Sequence, residues 1–364
     1  MKILTIVGAR PQFIKSAPVS RALAEAGLQE VLLHTGQHYD PNMSDVFFRE
    51  LGLRAPDLDL GAGPGSHAEQ TAAMLVGIER AIVARQPDWV LVYGDTNSTL
   101  AGALAASKLQ VPIAHVEAGM RSFNRRMPEE VNRIVADRLS SLLFTPTPAA
   151  SRNLRHEGFA EADILEAGDV MYDAVLMFRE KARSASRILE DLRLAPKSYI
   201  LATIHRAENT DAAETLLAIV NGLALAARQV PVIMPLHPRT RQALDRLPRL
   251  EGAGIQFMDP LGFLDMQRLE MEARVIATDS GGVQKEAFWH GVRCVTLRTE
   301  TEWVELTEAG VNQLCNPRDS EAICDLLLHG TFPPGAMKNL PGSGGASDRI
   351  AARLRAGKPN PGAR

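Results

Sequence analysis

The stretch DWVLVYGDTNSTLAGALAASKLQVPIAHV, residues 88–116, reads as strand, helix, strand. Residues 88–93 and 111–116 are short apolar runs rich in β-branched side chains, and the Ala-rich residues 98–109 between them favour a helix. Parallel strands joined by a right-handed crossover leave the sheet at the same edge. Asp95, just after the first strand, and Glu117, just after the second, are therefore expected side by side at the carboxyl ends. If the strands are neighbours, their backbones lie ~5 Å apart. Glu129 and Glu130 follow in MRSFNRRMPEEVNR, residues 120–133, at the end of the next connection. Two carboxylates held that close repel each other, so one is expected to carry a proton and to serve acid–base chemistry. The plainer alternative makes Asp95 a helix cap and Glu117 a loop acid.

Outward from this unit the same alternation continues. Strands are predicted at residues 3–7, 30–34 and 141–145, with helices after Pro11 and near residues 43–51. A second series of strands follows at 164–166, 199–203, 230–236, 255–258, 275–278 and 294–297. Alternation of this kind predicts a doubly wound α/β fold. A chain of 364 residues is long for one core, which stops growing at ~250–300 residues. Two Rossmann-like domains are expected, 1–168 and 169–364, with a ligand in a central cleft. Residues 330–345, rich in Gly and Pro, read as a loop, and 346–355 as a last helix that packs back on the first domain.

Composition narrows the function. A net charge of −3 gives no basic footprint for nucleic acid. The three cysteines, Cys294, Cys315 and Cys324, form no CxxC pair and have no His at metal-ligand spacing, so neither a disulfide framework nor a metal centre is expected. The start, MKILTIVGARP, reads as a first strand and not as a signal peptide or membrane span, and a cytoplasmic protein is expected.

Three further segments carry candidate chemistry. TDSGGVQKEA, residues 278–287, follows a strand and opens a helix; Ser280, Gly281 and Gly282 would leave backbone N–H groups free for a diphosphate, and Glu286 would face ribose hydroxyls. A plain Ser cap with a tight Gly-Gly turn is the alternative. GARPQFIK, residues 8–15, lacks the GxGxxG fingerprint of a tightly bound nicotinamide cofactor, while Arg10 and Lys15 bracket a helix start and could oppose a leaving diphosphate. His205 in TIHRAENTD and His237 in MPLHPRTR each follow a strand of the second series, where ligands bind. The Glu300/Glu302 pair in TETEW also follows a strand and is a candidate lining of a sugar site.

Taken together, GARPQFIK, TGQH (residues 35–38), GDTNSTLAG, HVEAG with RSFNRRMPEEVNR, the His205 segment, PLHP and TDSGGVQKEA followed by TETEW resemble the non-hydrolysing UDP-N-acetylglucosamine 2-epimerase family, in fixed order over nearly the whole chain. The resemblance implies two Rossmann-like domains in the GT-B arrangement, a homodimer, and no nicotinamide or metal cofactor. It implies Asp95, Glu117 and Glu129 as acidic site residues, with Glu130 the fallback. It places Arg10, Lys15 and His205 at diphosphate and sugar, and Ser280, Gly281, Gly282 and Glu286 at UDP. Some bacterial members bind a second UDP-sugar as activator; Gln37, His38, Gln70 and His237 are the candidates here, and Arg133 is a further candidate sugar contact. The loop HTGQHYDPNM and the form GARPQ look closer to the branch acting on UDP-2,3-diacetamido-2,3-dideoxyglucuronate, whose carboxylate would need a cation such as Arg125 or Arg126.

The hydrogen on C2 of a 2-acetamido sugar has no neighbouring carbonyl, so a carboxylate cannot remove it directly. Expulsion of UDP from C1 makes that proton acidic, and re-addition after the proton returns on the other face inverts C2. The expected activity is this 2-epimerisation. The rivals are a GT-B glycosyltransferase with the same UDP site, a hydrolysing epimerase, whose GTRAD-like start is missing here, and a sensor that binds without turnover.

Overall fold

The computed structural model describes residues 1–37, 51–247, 254–301, 303–331 and 344–357. The chain forms two units, Met1–Met177 with Gly342–Arg364, and Phe178–Pro341. The passage between them falls inside one helix, Val170–Ala185, nine residues beyond the expected 168/169 boundary.

The first unit runs β1 (Lys2–Val7), α1 (Arg10–Glu25), β2 (Gln29–His34), β3 (Leu58–Asp59), α2 (His67–Arg85), β4 (Trp89–Tyr93), α3 (Asn97–Lys108), β5 (Ile113–Val116), α4 (Pro128–Leu139), β6 (Leu142–Thr145), α5 (Pro148–His156), β7 (Ile164–Glu166) and α6 (Val170–Ala185). Its seven strands lie in the order β3-β2-β1-β4-β5-β6-β7, and every pairing is parallel. A parallel sheet covered on both faces should read as continuous apolar runs, and β4 does: WVLVY is buried at all five positions. The strand predicted at 164–166 as the first of the second series is instead the edge strand of this sheet, paired to β6 through Leu143↔Ile164. The predicted helix near 43–51 falls mostly outside the described residues.

Helix α3 begins where Thr96 accepts a 3.3 Å hydrogen bond from the N–H of Thr99, an N-cap that relieves one orphan donor. Gly102 lets this helix lie close on the sheet, because a Cβ there would stand 2.8 Å from Ile6 Cδ1 and 3.0 Å from Val92 Cγ1. The apolar cluster under it joins Leu4, Ile6, Val90, Val92, Ala101 and Ala105.

The second unit runs α7 (Ile188–Asp191), β8 (Ile200–Thr203), α8 (Ala207–Thr210), α9 (Ala213–Ala227), β9 (Val232–Pro235), α10 (Pro238–Leu244), β10 (Ile255–Met258), α11 (Phe263–Glu272), β11 (Val275–Thr278), α12 (Gly281–Trp289), β12 (Arg293–Thr296), α13 (Val304–Glu308), β13 (Asn312–Leu314) and α14 (Ser320–His329). Its strand order is β10-β9-β8-β11-β12-β13, again all parallel. Both sheets thus reverse direction beside their first strand, at β1/β4 and at β8/β11, which is the Rossmann order. The last helix, α15 (Ala346–Arg355), packs on α1 and belongs to the first unit. The edge strands β3 and β13, of two and three residues, carry too little apolar pattern to be read from sequence.

Candidate active site

In the first unit β4 and β5 are neighbours in register, Tyr93↔Val116, so the turns carrying Asp95 and Glu117 leave the same edge side by side. Gly94 N donates to Val116 O at 3.0 Å, tying one turn to the other strand. Gly94 (φ +60°) and Glu117 (φ +71°) both hold left-handed backbone. For a residue with a side chain this conformation is strained, and such strain gathers at functional sites.

Each of the two acids faces a cation of its own. Lys15 Nζ pairs with Glu117 Oε2, in a contact whose side chains are only 12 % and 14 % exposed. Arg133 Nη2 pairs with Asp95 Oδ2 at 2.5 Å and Arg133 Nη1 with Glu130 at 3.0 Å. Asn132 Nδ2 also donates to the Asp95 carbonyl at 2.9 Å. The segment PEEVNR therefore holds Asp95 by both backbone and side chain. Arg133, expected only as a sugar contact, is the cation that fixes this acid.

The two glutamates of that segment separate cleanly. Glu130 is 1 % exposed. It accepts from Ser122 N (2.9 Å), Ser122 Oγ (3.0 Å) and Phe123 N (3.0 Å). Burial would raise its pKa, but the bonds from Ser122, Arg133 and Phe123 outweigh it and hold the carboxylate below its ordinary range. Glu130 is thus committed to anchoring the loop at residues 122–123. Glu129 is exposed on the first turn of α4 and has no hydrogen bond or ion pair among the described residues.

Two N–H groups of the first βα turn, those of Gly8 and Ala9, are already taken within the protein. Gln12 Oε1 accepts from Gly8 N at 2.8 Å and Ala9 N at 3.1 Å, while Gln12 Nε2 donates to Tyr93 O at 2.9 Å and Thr99 Oγ1 at 3.1 Å. One buried amide so closes the crevice between β1 and β4. Sequence reasoning passed over Gln12; its signal is a Gln at the third helical position behind an Ala that cannot cap. Arg10 starts α1 half-buried. Gln37 and Gln70 are drawn together at the start of α3: Gln37 Oε1 accepts from Ser98 N at 3.0 Å, Gln70 Oε1 from Asn97 Nδ2 at 3.0 Å, and Gln70 Nε2 donates to Gln37 O at 3.4 Å. His38 lies outside the described residues.

In the second unit Asp279, 0 % exposed, plays the part that Gln12 plays in the first. Its carboxylate accepts from His205 N (3.1 Å), Arg206 N (3.0 Å) and Asn209 Nδ2 (3.0 Å), bridging the ends of β8 and β11. His205 Nδ1 lies 3.4 Å from Asp279 Oδ1, and its ring is 5.8 Å from that of His237. Burial lowers the His205 pKa; Asp279 opposes this, and Arg206 and Arg239 add to it, so the neutral ring is favoured. His237 itself caps α10 by accepting from Arg239 N at 3.2 Å. Ser280 caps α12, its Oγ 3.5 Å from Val283 N. At Gly282 a Cβ would meet nothing nearer than Ser280 Oγ at 3.8 Å, so the helix start is open on that side. Glu286 is half-buried further along the same helix. Glu300 is exposed, and Glu302 lies outside the described residues.

Among the described residues no group of three or more His, Cys, Asp or Glu is arranged to hold a metal ion, and no helix is long and apolar enough to cross a membrane. Burial pushes the Cys294 thiol up to about 12, which makes it an inert core residue.

Two Rossmann-type parallel sheets, one edged by cation-paired acids and the other by an open helix start, define an α/β enzyme of the nucleotide-sugar class. The chain belongs to the UDP-N-acetylglucosamine 2-epimerase family, whose sequence model matches residues 21–355. It is 53% identical over 364 residues to UDP-2,3-diacetamido-2,3-dideoxy-D-glucuronate 2-epimerase of Pseudomonas aeruginosa, covering 97% of this chain and 99% of that one. The solved structure of the Methanocaldococcus jannaschii UDP-GlcNAc 2-epimerase in complex with UDP-GlcNAc and UDP matches with a TM-score of 0.88 at 40% identity, covering 98% of this chain and 100% of that one. The Neisseria meningitidis UDP-GlcNAc 2-epimerase bound to UDP-GlcNAc matches with a TM-score of 0.87 at 28% identity, covering 97% and 99%.

Proposed function

We propose that this chain is a non-hydrolysing 2-epimerase whose substrate is a UDP-2,3-diacetamido uronate, with UDP-GlcNAc the poorer alternative. The observation that carries the activity is the pair of carboxylates at adjacent strand ends, each with its own cation: Asp95 with Arg133 and Glu117 with Lys15. The whole-length 53% identity to the diacetamido uronate enzyme, against 40% over 98% of the chain to the M. jannaschii UDP-GlcNAc enzyme, favours the uronate. Arg125 and Arg126, exposed and without an ion pair among the described residues, supply the charge that a sugar carboxylate requires.

In this reading the first unit does the acid–base work and the second holds UDP. The C1–O bond to the diphosphate breaks, and UDP leaves with the electron pair. The electron-poor anomeric centre acidifies C2–H, and a carboxylate takes that proton to leave a 2-acetamidoglucal. A proton then returns to C2 from the opposite face and UDP re-adds at C1. Two faces need two groups, and Asp95, Glu117 and the exposed Glu129 are the candidates. Since Gln12 occupies the N–H groups of Gly8 and Ala9, charge on the leaving diphosphate falls to Arg10, to the start of α12 at Ser280–Gly282, and to the neutral His205 as a hydrogen-bond donor. Glu286 would accept from the ribose. A homodimer in the cytoplasm completes the reading.

The purified protein incubated in D₂O with each UDP-sugar, followed by proton NMR, tests this. Deuterium at C2 with appearance of the manno epimer, faster for the uronate than for UDP-GlcNAc, is the expected result. Turnover only when an acceptor is added, with C2 unexchanged, would make the protein a glycosyltransferase. Binding without turnover of either sugar would make it a sensor.

A further inference from the structure

Behind the acid pair lies a buried polar cluster centred on His115 and Asp137. His115, on β5 two residues before Glu117, is 0 % exposed, as is Asp137 on α4. His115 Nδ1 lies 2.7 Å from Asp137 Oδ1, and its Nε2 lies 2.7 Å from the Gly94 carbonyl. A carbonyl oxygen only accepts, so Nε2 donates to Gly94, while Nδ1 faces the Asp137 carboxylate. Asp137 in turn accepts from Arg121 Nη1 at 2.7 Å and from Gly119 N at 3.1 Å. Arg121 is held by a bidentate contact to Glu157, at 2.7 and 2.8 Å, and donates to Met120 O at 2.7 Å.

A polar network so deep is expensive to desolvate, and a well-packed apolar set would hold the sheet to the helix as firmly. Its endpoints are what distinguish it. One arm ends on Gly94, the residue immediately before Asp95; the other ends on Gly119, two residues after Glu117. Both anchor points sit in left-handed turns, Gly94 at φ +60° and Gly119 at φ +78°. At Gly119 a Cβ would stand 2.4 Å from the Ala150 carbonyl, so that turn has no room to drift outward. His115 joins the Asp95 turn to the Asp137 carboxylate and, through it, to the turn after Glu117.

We propose that His115 is a positioning residue for the proton transfer at C2: its Nε2 bond to the Gly94 carbonyl sets where Asp95 stands, and its Nδ1 bond to Asp137 locks that placement to the turn of Glu117. The proposal rests on the acid assignment made under Proposed function. Misplacing a reacting group by ~1 Å can cost ~100-fold in rate without affecting binding. A bond that merely stabilises the fold carries no such split.

The test exploits the two ring nitrogens separately. His115→Gln puts an amide N–H near the Nε2 position and can still donate to Gly94, whereas His115→Asn places its N–H near Nδ1 and cannot reach it. Steady-state kinetics, deuterium wash-in at C2 and UDP affinity by calorimetry are measured for wild type, both variants and Asp137→Asn. The expected result is that His115→Asn loses about 10- to 100-fold in kcat and in C2 exchange, while KM and UDP affinity stay within about twofold of wild type. His115→Gln is expected to lose about tenfold less than His115→Asn. If His115→Asn does not fold, Asp137→Asn decides by the same split of kcat from KM. Equal losses in His115→Gln and His115→Asn, native kcat in His115→Asn, or loss of UDP affinity in step with kcat would each overturn the positioning role. A wild type that turns over neither sugar is a different result, the failure of the epimerase reading itself.

Discussion

Lys15 on α1 and Glu117 at the end of β5, 102 residues apart in the chain, form an ion pair directly over the Gly94 turn. A Cβ on Gly94 would lie 3.5 Å from the Lys15 nitrogen and 3.4 Å from Glu117 Oε2, so the pair rests on a backbone that has no side chain to displace it. Replacing Lys15 by Met leaves a largely buried carboxylate without its cation. Lys15→Met is expected to lower kcat by about 100-fold, ~3 kcal/mol of transition-state stabilisation. Rapid-quench or NMR rates on the purified variant check this; a kcat within a factor of three of wild type would remove Lys15 from the reaction.

Glu129 and Glu130 answer to different measurements. Glu129→Gln neutralises a carboxylate that is exposed and without a partner among the described residues, and is expected to leave stability within about 0.5 kcal/mol while cutting C2 exchange by at least about 100-fold. Glu130→Gln strips the charge that anchors Ser122, Phe123 and Arg133. It is expected to cost ~2–3 kcal/mol in urea unfolding. The reverse pattern would make the second acid, and not the first, the reacting one.

Gln12→Ala removes the acceptor of two N–H groups in the β1–α1 turn, at a residue 1 % exposed. Burying those donors unsatisfied is expected to cost ~2–4 kcal/mol, read as a lower urea midpoint at an unchanged slope. Gain of UDP affinity in this variant would mean that the turn is a phosphate site that Gln12 blocks.

Acid lability follows from two carboxylates. Asp137 is buried, which alone would raise its pKa, but the bond and charge of His115 together with Arg121 hold it below its ordinary range, and Glu130 is lowered likewise. A carboxylate with a lower pKa folded than unfolded contributes its full stability above the unfolded value, ~4, and loses it as pH falls through the folded value. Thermal melts are therefore expected to fall gently below about pH 6.5, where His290, pushed down to about 3 by burial, and His205, lowered likewise, charge only in the unfolded chain, and to drop more steeply below about pH 4, less steeply in Asp137→Asn once its lower starting point is subtracted. A melting temperature flat down to pH 3 would contradict the assignment of these two groups.

Arg125 and Arg126 bear on specificity. The double replacement by Ala is expected to lower kcat/KM for the diacetamido uronate by about 10- to 100-fold and to leave UDP-GlcNAc turnover within about threefold. Equal losses on both sugars would move the carboxylate contact elsewhere.

The alternation of apolar runs with helical stretches was enough to read the sheets, because buried parallel strands are apolar on both faces and stand out from their loops. The side-by-side exit of Asp95 and Glu117 came from the same logic of crossover handedness, and β4 and β5 do pair. What sequence could not supply was which polar residues face inward. Glu129 and Glu130 are adjacent letters, yet one is exposed and the other 1 % exposed, since a helix turns ~100° per residue. Gln12, His115, Asn132 and Asp279 sit in segments rich in candidate residues, and nothing in their spacing shows that their partners include backbone groups of turns brought near only by the fold. The partner of Arg133, Asp95, stands 38 residues earlier in the chain, a pairing that no local spacing announces.

The central claim is that the acids of the first unit invert C2 only while the bond from C1 to UDP is broken. The most direct measurement places ¹⁸O in the bridge between C1 and the β-phosphorus and follows, in one D₂O incubation, scrambling of that label into the non-bridging phosphate oxygens and deuterium entry at C2. Scrambling that appears in wild type together with C2 deuterium, and no C2 deuterium in Glu129→Gln, is the expected result. Deuterium at C2 with the bridge label fully retained would contradict elimination of UDP and with it the chemistry assigned to this site.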